Sequence, residues 1–454
     1  MDKTTQKLVD YAMAVNFSDL SPVVVNACKT RLIDTFGCAI GAYHAPLCKQ
    51  TREMAHRYTG TPAASVLGCE TASTAEMAAY ANGVMLRFLD LSDSYRVKSG
   101  GHPSDVIAGL LAVAEFSRAD GRSLITAIVV AYEVYCAFCE AVDINSKGWD
   151  QPVYSILGTV LAAGKLLGLT REQMGHAVSL ALAPNMALHQ TRRGELSNWK
   201  NNAAANASRN AVFAVLLARD GCTGPTAIFE GRAGVFDVVG RFDWPKLDPS
   251  PLRLSKTHLK SFPVNYHGQS AVWAALQLRG KVQWENIAKI HVEGYHSAVE
   301  EMGSDPAHWA PRTHETADHS IPYVVATALL DGEITPTSFS EQQLHDPRKA
   351  RLMGVTTIVE DKALTAKFPE SAPCRMTITL ADGSTIQSYI QSPRGHANNP
   401  LGEAEVERKF MSLSRDYCDE AQSREILSTL FKLDGVRDIG EIMRLFVIPQ
   451  GRPT

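Results

Sequence analysis

Through residues 1–240, apolar side chains recur every three to four positions between short polar stretches, the spacing of one helix after another. In "SPVVVNACKTRLIDTFGCAIGAY", Val25, Cys28, Leu32, Phe36 and Ile40 share a face, Ser21 reads as the cap and Pro22 as the first helical residue. Gly37 and Gly41 in the same stretch permit a close helix approach. The pattern predicts further helices near 73–88, 104–118, 122–142, 151–167, 171–184 and 199–219, joined by short polar connections such as "RADGRS" in which glycine is the stop signal. After about residue 285 the period changes. "IAKIHVEGY" alternates Ile290 and Val292 with polar neighbours, and "GVTTIVED" is β-branched. "CRMTITLADGSTIQSYI" sets Met376, Ile378 and Leu380 before an Asp382-Gly383 turn and Ile386 and Ile390 after it, which predicts a hairpin. "DHSIPYVVATALLDG" reads as a helix between the first strand and the others, and helical spacing returns from about 402 to 445. The expected architecture is mostly α: a large all-helical domain (1–262, rejoined by 402–454) and an inserted, smaller α+β domain (263–401).

Composition narrows the function. With 45% hydrophobic and 20% charged residues in 454, the chain can bury a large core. A formal net charge of −3 gives no basic excess for nucleic acid. The opening "MDKTTQKLVDYAMAVNF" is too polar for a signal peptide, and apolar runs such as "DVIAGLLAVAEF" fall short of a membrane span. The expectation is a cytoplasmic protein with neither nucleic acid nor membrane as partner. Nine irregularly spaced cysteines argue against a disulfide framework. Cys136 and Cys139 lie in an apolar helical pattern without a second ligand pair, so core-facing thiols are expected rather than zinc.

Four stretches gather proton-transfer groups at helix boundaries. "LDLSDSYRVKSGGHPSD" carries Asp90, Asp93, Ser94 and His102; "HQTRRGELSNWKNNAAANASRNAVFA" carries Arg192, Arg193 and Lys200 ahead of a small-residue face. "LKSFPVNYHGQSAVWAALQL" carries Lys260 and His267; "DHSIPYVVA" carries Asp318, His319 and Tyr323. Each has a structural alternative: turn aspartates, a satisfied loop histidine, a solvated lysine, a core tyrosine. Together they suit proton abstraction beside a carboxylate, with histidine moving the proton and cations holding carboxylates or an enolate-like charge. No dinucleotide fingerprint, P-loop, HExxH, EF-hand loop or GxSxG is present, and the histidines are not spaced as a metal cluster, so a site without metal or organic cofactor is expected.

Those stretches, with "RLIDTFGCAIGAY", "GPTAIFEGRAGVF" and "PRGHANNPL", resemble the MmgE/PrpD family in order from about residue 5 to 445. The family includes 2-methylcitrate dehydratases, cis-aconitate decarboxylases and an iminodisuccinate epimerase. The resemblance implies a helical domain plus a smaller α+β domain, a homodimer, a small polycarboxylate substrate and no cofactor. By matching motif it implies catalytic roles for Asp90, His102, Lys260, His267 and Tyr323, and substrate contacts for Ser94, Lys200 and Lys260; Arg193, just ahead of the Lys200 helix, is expected to add a further cation for substrate carboxylates. Ser94 stands where a threonine is common. The twelve-residue step from Asp90 to His102 is similar to the bacterial dehydratase loop rather than the shorter animal decarboxylase loop. The expectation is therefore a hydro-lyase acting on a hydroxylated tricarboxylate, with 2-methylcitrate first. Decarboxylation or epimerisation on the same scaffold is the alternative, and a non-catalytic carboxylate-binding protein comes after them.

Overall fold

Ser21 accepts from the Val24 N–H at 3.4 Å and Pro22 opens the helix Pro22–Gly41, as cap chemistry predicts. The computed structural model describes residues 1–194, 196–248 and 253–448; the tail 449–454 of the expected returning segment lies outside the described residues. The helices Ala75–Phe88, Ile107–Phe116, Gly121–Ala141, Pro152–Leu166, Arg171–Leu182 and Trp199–Arg219 fall on the periodic segments. They enclose one hydrophobic core that also takes in Val406, Phe410, Ile426 and Phe446 from the end of the chain. The returning helix Glu403–Ser414 lies on the Gly37–Gly41 side of Pro22–Gly41: a Cβ on Gly41 would come within 2.9 Å of Leu413. Phe446 stacks on Phe36 with ring centroids 4.3 Å apart.

The helix Gly121–Ala141 is long and apolar enough to cross a membrane, which corrects the reading that no apolar run reaches that length. It is buried over 94% of its most apolar window, and this is the pattern of a core helix enclosed on all sides. Cys136 and Cys139 lie within it as buried free thiols, and burial raises both well above the usual thiol range.

A second core begins at Val264 and ends at Ile390. Here strand β5 (Ile287–Gly294) lies parallel to β6 (Thr356–Glu360) and antiparallel to β7 (Cys374–Leu380), which pairs with β8 (Thr385–Ile390), giving the order β6-β5-β7-β8. Numbered in chain order these follow two small hairpins, β1 (Ala63–Ser65) with β2 (Ala72–Thr74) and β3 (Tyr95–Arg96) with β4 (Gly100–Gly101). Ile290 pairs with Ile378 and Val292 with Met376, so the alternation seen in the sequence is one apolar face of this sheet, covered by the helix Gln269–Arg279, on which Ile321–Asp331 packs in turn. Sequence periodicity missed the two hairpins because strands of two or three residues are too short to show a period. The chain is thus mostly α with a small mixed sheet, and its two cores meet along the polar stretches.

Candidate active site

Asp90 follows the C-terminal end of the helix Ala75–Phe88 and has φ 48°, a left-handed conformation that costs a non-glycine residue on the order of 1 kcal/mol. The surroundings over-determine it. Arg87, in the last helical turn, donates to Oδ1 at 2.6 Å. Lys260 Nζ donates to the Asp90 carbonyl at 2.6 Å and also to Oδ1, and Lys200 Nζ lies 3.3 Å from Oδ2. Although burial alone would raise its pKa, Arg87, Lys260 and Lys200 hold Asp90 well below the usual carboxylate range.

Lys200 enters from the first turn of Trp199–Arg219, where the helix dipole disfavours a cation. Asp90 and Asp318 offset that cost: Asp318 accepts from Lys200 Nζ at 2.9 and 3.1 Å and also contacts His319 Nδ1. Burial acts against it, but Lys200 and His319 hold Asp318 low. Lys260 is likewise enclosed, and burial pushes it down to about 8 against the pull of Asp90. Lys409, from the returning helix, ties the layer together by donating to Asp34 Oδ1 at 2.6 Å, the Lys260 carbonyl at 2.8 Å and the Leu91 carbonyl at 2.9 Å.

A cavity of about 360 Å³ opens above this ionic layer, lined by His102, His267, His319, Arg87, Arg96 and Glu301 among others. His102 Nδ1 lies 2.6 Å from the Asp93 carbonyl, which can only accept, so the proton sits on Nδ1 and Nε2 carries the lone pair. Nε2 points toward Asp90 Oδ1 at 4.0 Å. Burial, then Arg87 and Lys260, push His102 well below the usual imidazole range, keeping it neutral. Asp93 also accepts from the Ser104 N–H at 3.0 Å, which closes the loop on itself. His267 has the opposite arrangement. Its Nε2 faces Glu301 at 3.3 Å and its Nδ1 meets the Tyr295 hydroxyl at 2.7 Å, so Nε2–H with Nδ1 accepting satisfies both contacts. Burial lowers His267 and Glu301 opposes. One buried group thus presents a lone pair and another a proton, the pairing that acid–base catalysis requires.

The structure brings Asp90, His102, Lys200, Lys260 and His267 to one place, with His102 and His267 on the cavity wall and both lysines beneath it. The lysines, expected to grip substrate carboxylates, do not line the cavity. At 0% and 1% exposed they are spent on Asp90 and Asp318 and set the potential of the floor from below. Arg193 is on the cavity rim, and its neighbour Arg192 pairs with Asp150 at 3.2 Å. Ser94 is 0% exposed and accepts from Arg96 Nε at 3.0 Å, so it orients an arginine and does not line the cavity. Tyr323 does not join the site. It lies past the Ser320 cap on the inner face of Ile321–Asp331 and donates to the Ser338 carbonyl at 2.6 Å. From the same stretch Asp318 and His319, ahead of the cap, do reach the site. Glu301 and Tyr295 carried no local signal, since 34 and 28 residues separate them from His267.

Asp90, Asp318 and His319 offer ligand atoms within 4.8 Å of one another, a spacing a metal could use. The donor set does not fit one: the Lys200 ammonium already lies 2.9 Å from Asp318 and 3.3 Å from Asp90, and Arg87 and Lys260 add positive charge. A divalent ion would have to displace an ammonium into surrounding cations.

Comparison with known proteins adds the following. The profile described as the MmgE/PrpD N-terminal domain matches residues 6–247, and that of the MmgE/PrpD C-terminal domain matches 262–433. A 2-methylcitrate dehydratase of Cupriavidus necator is 30% identical over 87% of this chain and 86% of its own. One of Escherichia coli K12 is 28% identical over 98% of both chains. An alkylcitrate dehydratase of a fungal species is 29% identical over 83% of this chain and 79% of its own.

Proposed function

The chain belongs to the MmgE/PrpD family, and on that premise we propose that it is a carbon–oxygen hydro-lyase that dehydrates a hydroxylated tricarboxylate, 2-methylcitrate first. The observation that carries the reading is the complementary pair in one cavity: neutral His102 with its lone pair at Nε2, and His267 backed by Glu301 with its proton at Nε2. His102 takes the proton from the carbon next to a carboxylate. The charge that develops there is met by the cationic floor of Arg87, Lys200 and Lys260, held in place without reorganisation by Asp90 and Asp318. His267, carrying a second proton as an imidazolium that the Glu301 carboxylate favours, gives one proton to the departing hydroxyl and returns to its neutral form as water leaves. Bacterial and fungal relatives named as 2-methylcitrate and alkylcitrate dehydratases support the substrate class.

The purified protein should convert 2-methylcitrate with a rise in unsaturated-acid absorbance. No such rise, together with carbon dioxide release from cis-aconitate, would replace dehydration by decarboxylation. We also propose a homodimer built by the helical domain; sedimentation showing only monomer at micromolar concentration would refute it.

A further inference from the structure

Among the described residues, one half-buried arginine on the cavity wall forms no ion pair; Lys98, also without one, is exposed and donates to the Ala141 carbonyl at 3.2 Å. Arg87 is paired with Asp90, Arg192 with Asp150, and Arg193 sits at the exposed rim. Arg96 is half-buried, lines the cavity, and forms no ion pair with any described residue. Its Nε donates to Ser94 Oγ at 3.0 Å, and neither Nη1 nor Nη2 donates to a described residue. The guanidinium stands 5.8 Å from the Tyr266 ring centroid, within the range of a cation–π contact.

The chain around Arg96 is shaped to keep it there. Arg96 ends β3 and pairs across the hairpin with Gly100 of β4. A Cβ on Gly100 would meet Arg96 Cδ and Nη1 at 2.7 Å and the Tyr95 carbonyl at 2.9 Å, so glycine at this position is what lets the arginine lie back across its own hairpin. The hairpin is anchored in turn, because Ser94 pairs with His258 through reciprocal backbone hydrogen bonds of 2.7 and 2.8 Å. A partly desolvated guanidinium, fixed at Nε and offering two parallel donors, has the geometry of a bidentate carboxylate clamp. Its charge also depresses the basicity of both His102 and His267, which places it close to the two proton-transfer groups.

We propose that Arg96 binds a carboxylate of the substrate through Nη1 and Nη2, with Ser94 as the positioning residue that aims it. This deepens the dehydratase reading and rests on it for the substrate class. It assigns the selection of polycarboxylates to a residue in the hairpin between Asp90 and His102, where carboxylate capture and proton removal are held in one short loop. A substrate carboxylate would supply the direct ion-pair partner that no described residue gives this cation; Glu301, on the same cavity wall, feels its charge but does not pair with it.

The test is calorimetric binding of tricarballylate, a tricarboxylate with no hydroxyl to eliminate, to the full chain. Arg96→Met should weaken binding roughly 30-fold or more, as expected when two charge-assisted hydrogen bonds are lost. Ser94→Ala should weaken it less, by roughly threefold to tenfold, since it removes only the aim. If Arg96→Met does not fold by circular dichroism, Arg96→Gln, which keeps an amide donor, takes its place with the same expected loss. Unchanged affinity in the folded arginine variant overturns the inference, as does failure of the unmodified protein to bind tricarballylate. Because no turnover is involved, absent 2-methylcitrate dehydration in the unmodified protein would sink the dehydratase reading while leaving the arginine measurement interpretable.

Discussion

At the scale of single residues, the site works by placing protons before substrate arrives. His102→Asn keeps a donor for the Asp93 carbonyl but removes the basic Nε2. Turnover should fall by about a hundred- to ten-thousand-fold while the melting temperature moves little; near-normal turnover would place the base elsewhere. Lys260 gives an alkaline limit. With its proton held only to about pH 8, the floor loses a charge above that value, and kcat/KM should decline there. The stability effect has the opposite sign. Between about pH 8 and the ordinary lysine range near 10.4, the unfolded chain holds this proton and the folded one does not, so Lys260 by itself makes stability rise with pH. Lys260→Met should abolish the alkaline limb in the activity that remains; an unshifted limb would assign it to another group. Asp105 shows the reverse linkage. Burial raises it to about 7 with Arg87 opposing, so the stability its neutral form provides is present at low pH and lost as pH rises through 7. Asp105→Asn should therefore raise the melting temperature relative to the parent at pH 8 and much less at pH 5. An equal difference at both values would remove Asp105 as the titrating group.

At the scale of elements, the β3–β4 hairpin holds the cavity wall together. A Cβ on Gly101 would lie 2.0 Å from the Tyr135 hydroxyl, which accepts from the His102 N–H at 2.9 Å. Tyr135 is fully buried and cannot step aside. Gly101→Ala should cost about 1–3 kcal/mol in denaturant unfolding, as overpacking does, and should lower turnover by shifting His102. A stable variant with full activity would show that the hairpin tolerates displacement. The helices of both cores and the strands β5 to β8 were legible because a long amphipathic element repeats its pattern several times. The hairpin was not, although Gly100-Gly101 stood in plain view: what those glycines avoid are Arg96 and Tyr135, and the second lies on another helix.

At the scale of the whole molecule, the cavity and the ionic layer beneath it draw on both halves of the chain: Arg96 and His102 on the wall with Asp90 and Lys200 below from the first, His267, Glu301 and His319 on the wall with Asp318 below from the second. A ligand there should stabilise their mutual arrangement. Tricarballylate at about a hundred times its Kd should add about 2.7 kcal/mol and raise the unfolding of both cores. If scanning calorimetry resolved two transitions and only one moved, the ligand would be held by one core alone. The sequence by itself determined the helical majority, the sheet near the C-terminal end and the family resemblance, through which "LDLSDSYRVKSGGHPSD" was expected beside the Lys200, Lys260 and His267 stretches, because periodicity, caps and motif order are local properties of a chain. Only the tertiary structure decided which charges are spent on one another. Lys200 and Lys260 read as substrate cations until Asp90 and Asp318 are placed against them, Tyr323 reads as a site residue until its hydroxyl turns to Ser338, and Arg96 reads as one loop cation among several until its place on the cavity wall, unpaired with any described carboxylate, is seen. Ion pairing and burial depend on distances between residues far apart in sequence, and no local pattern encodes them.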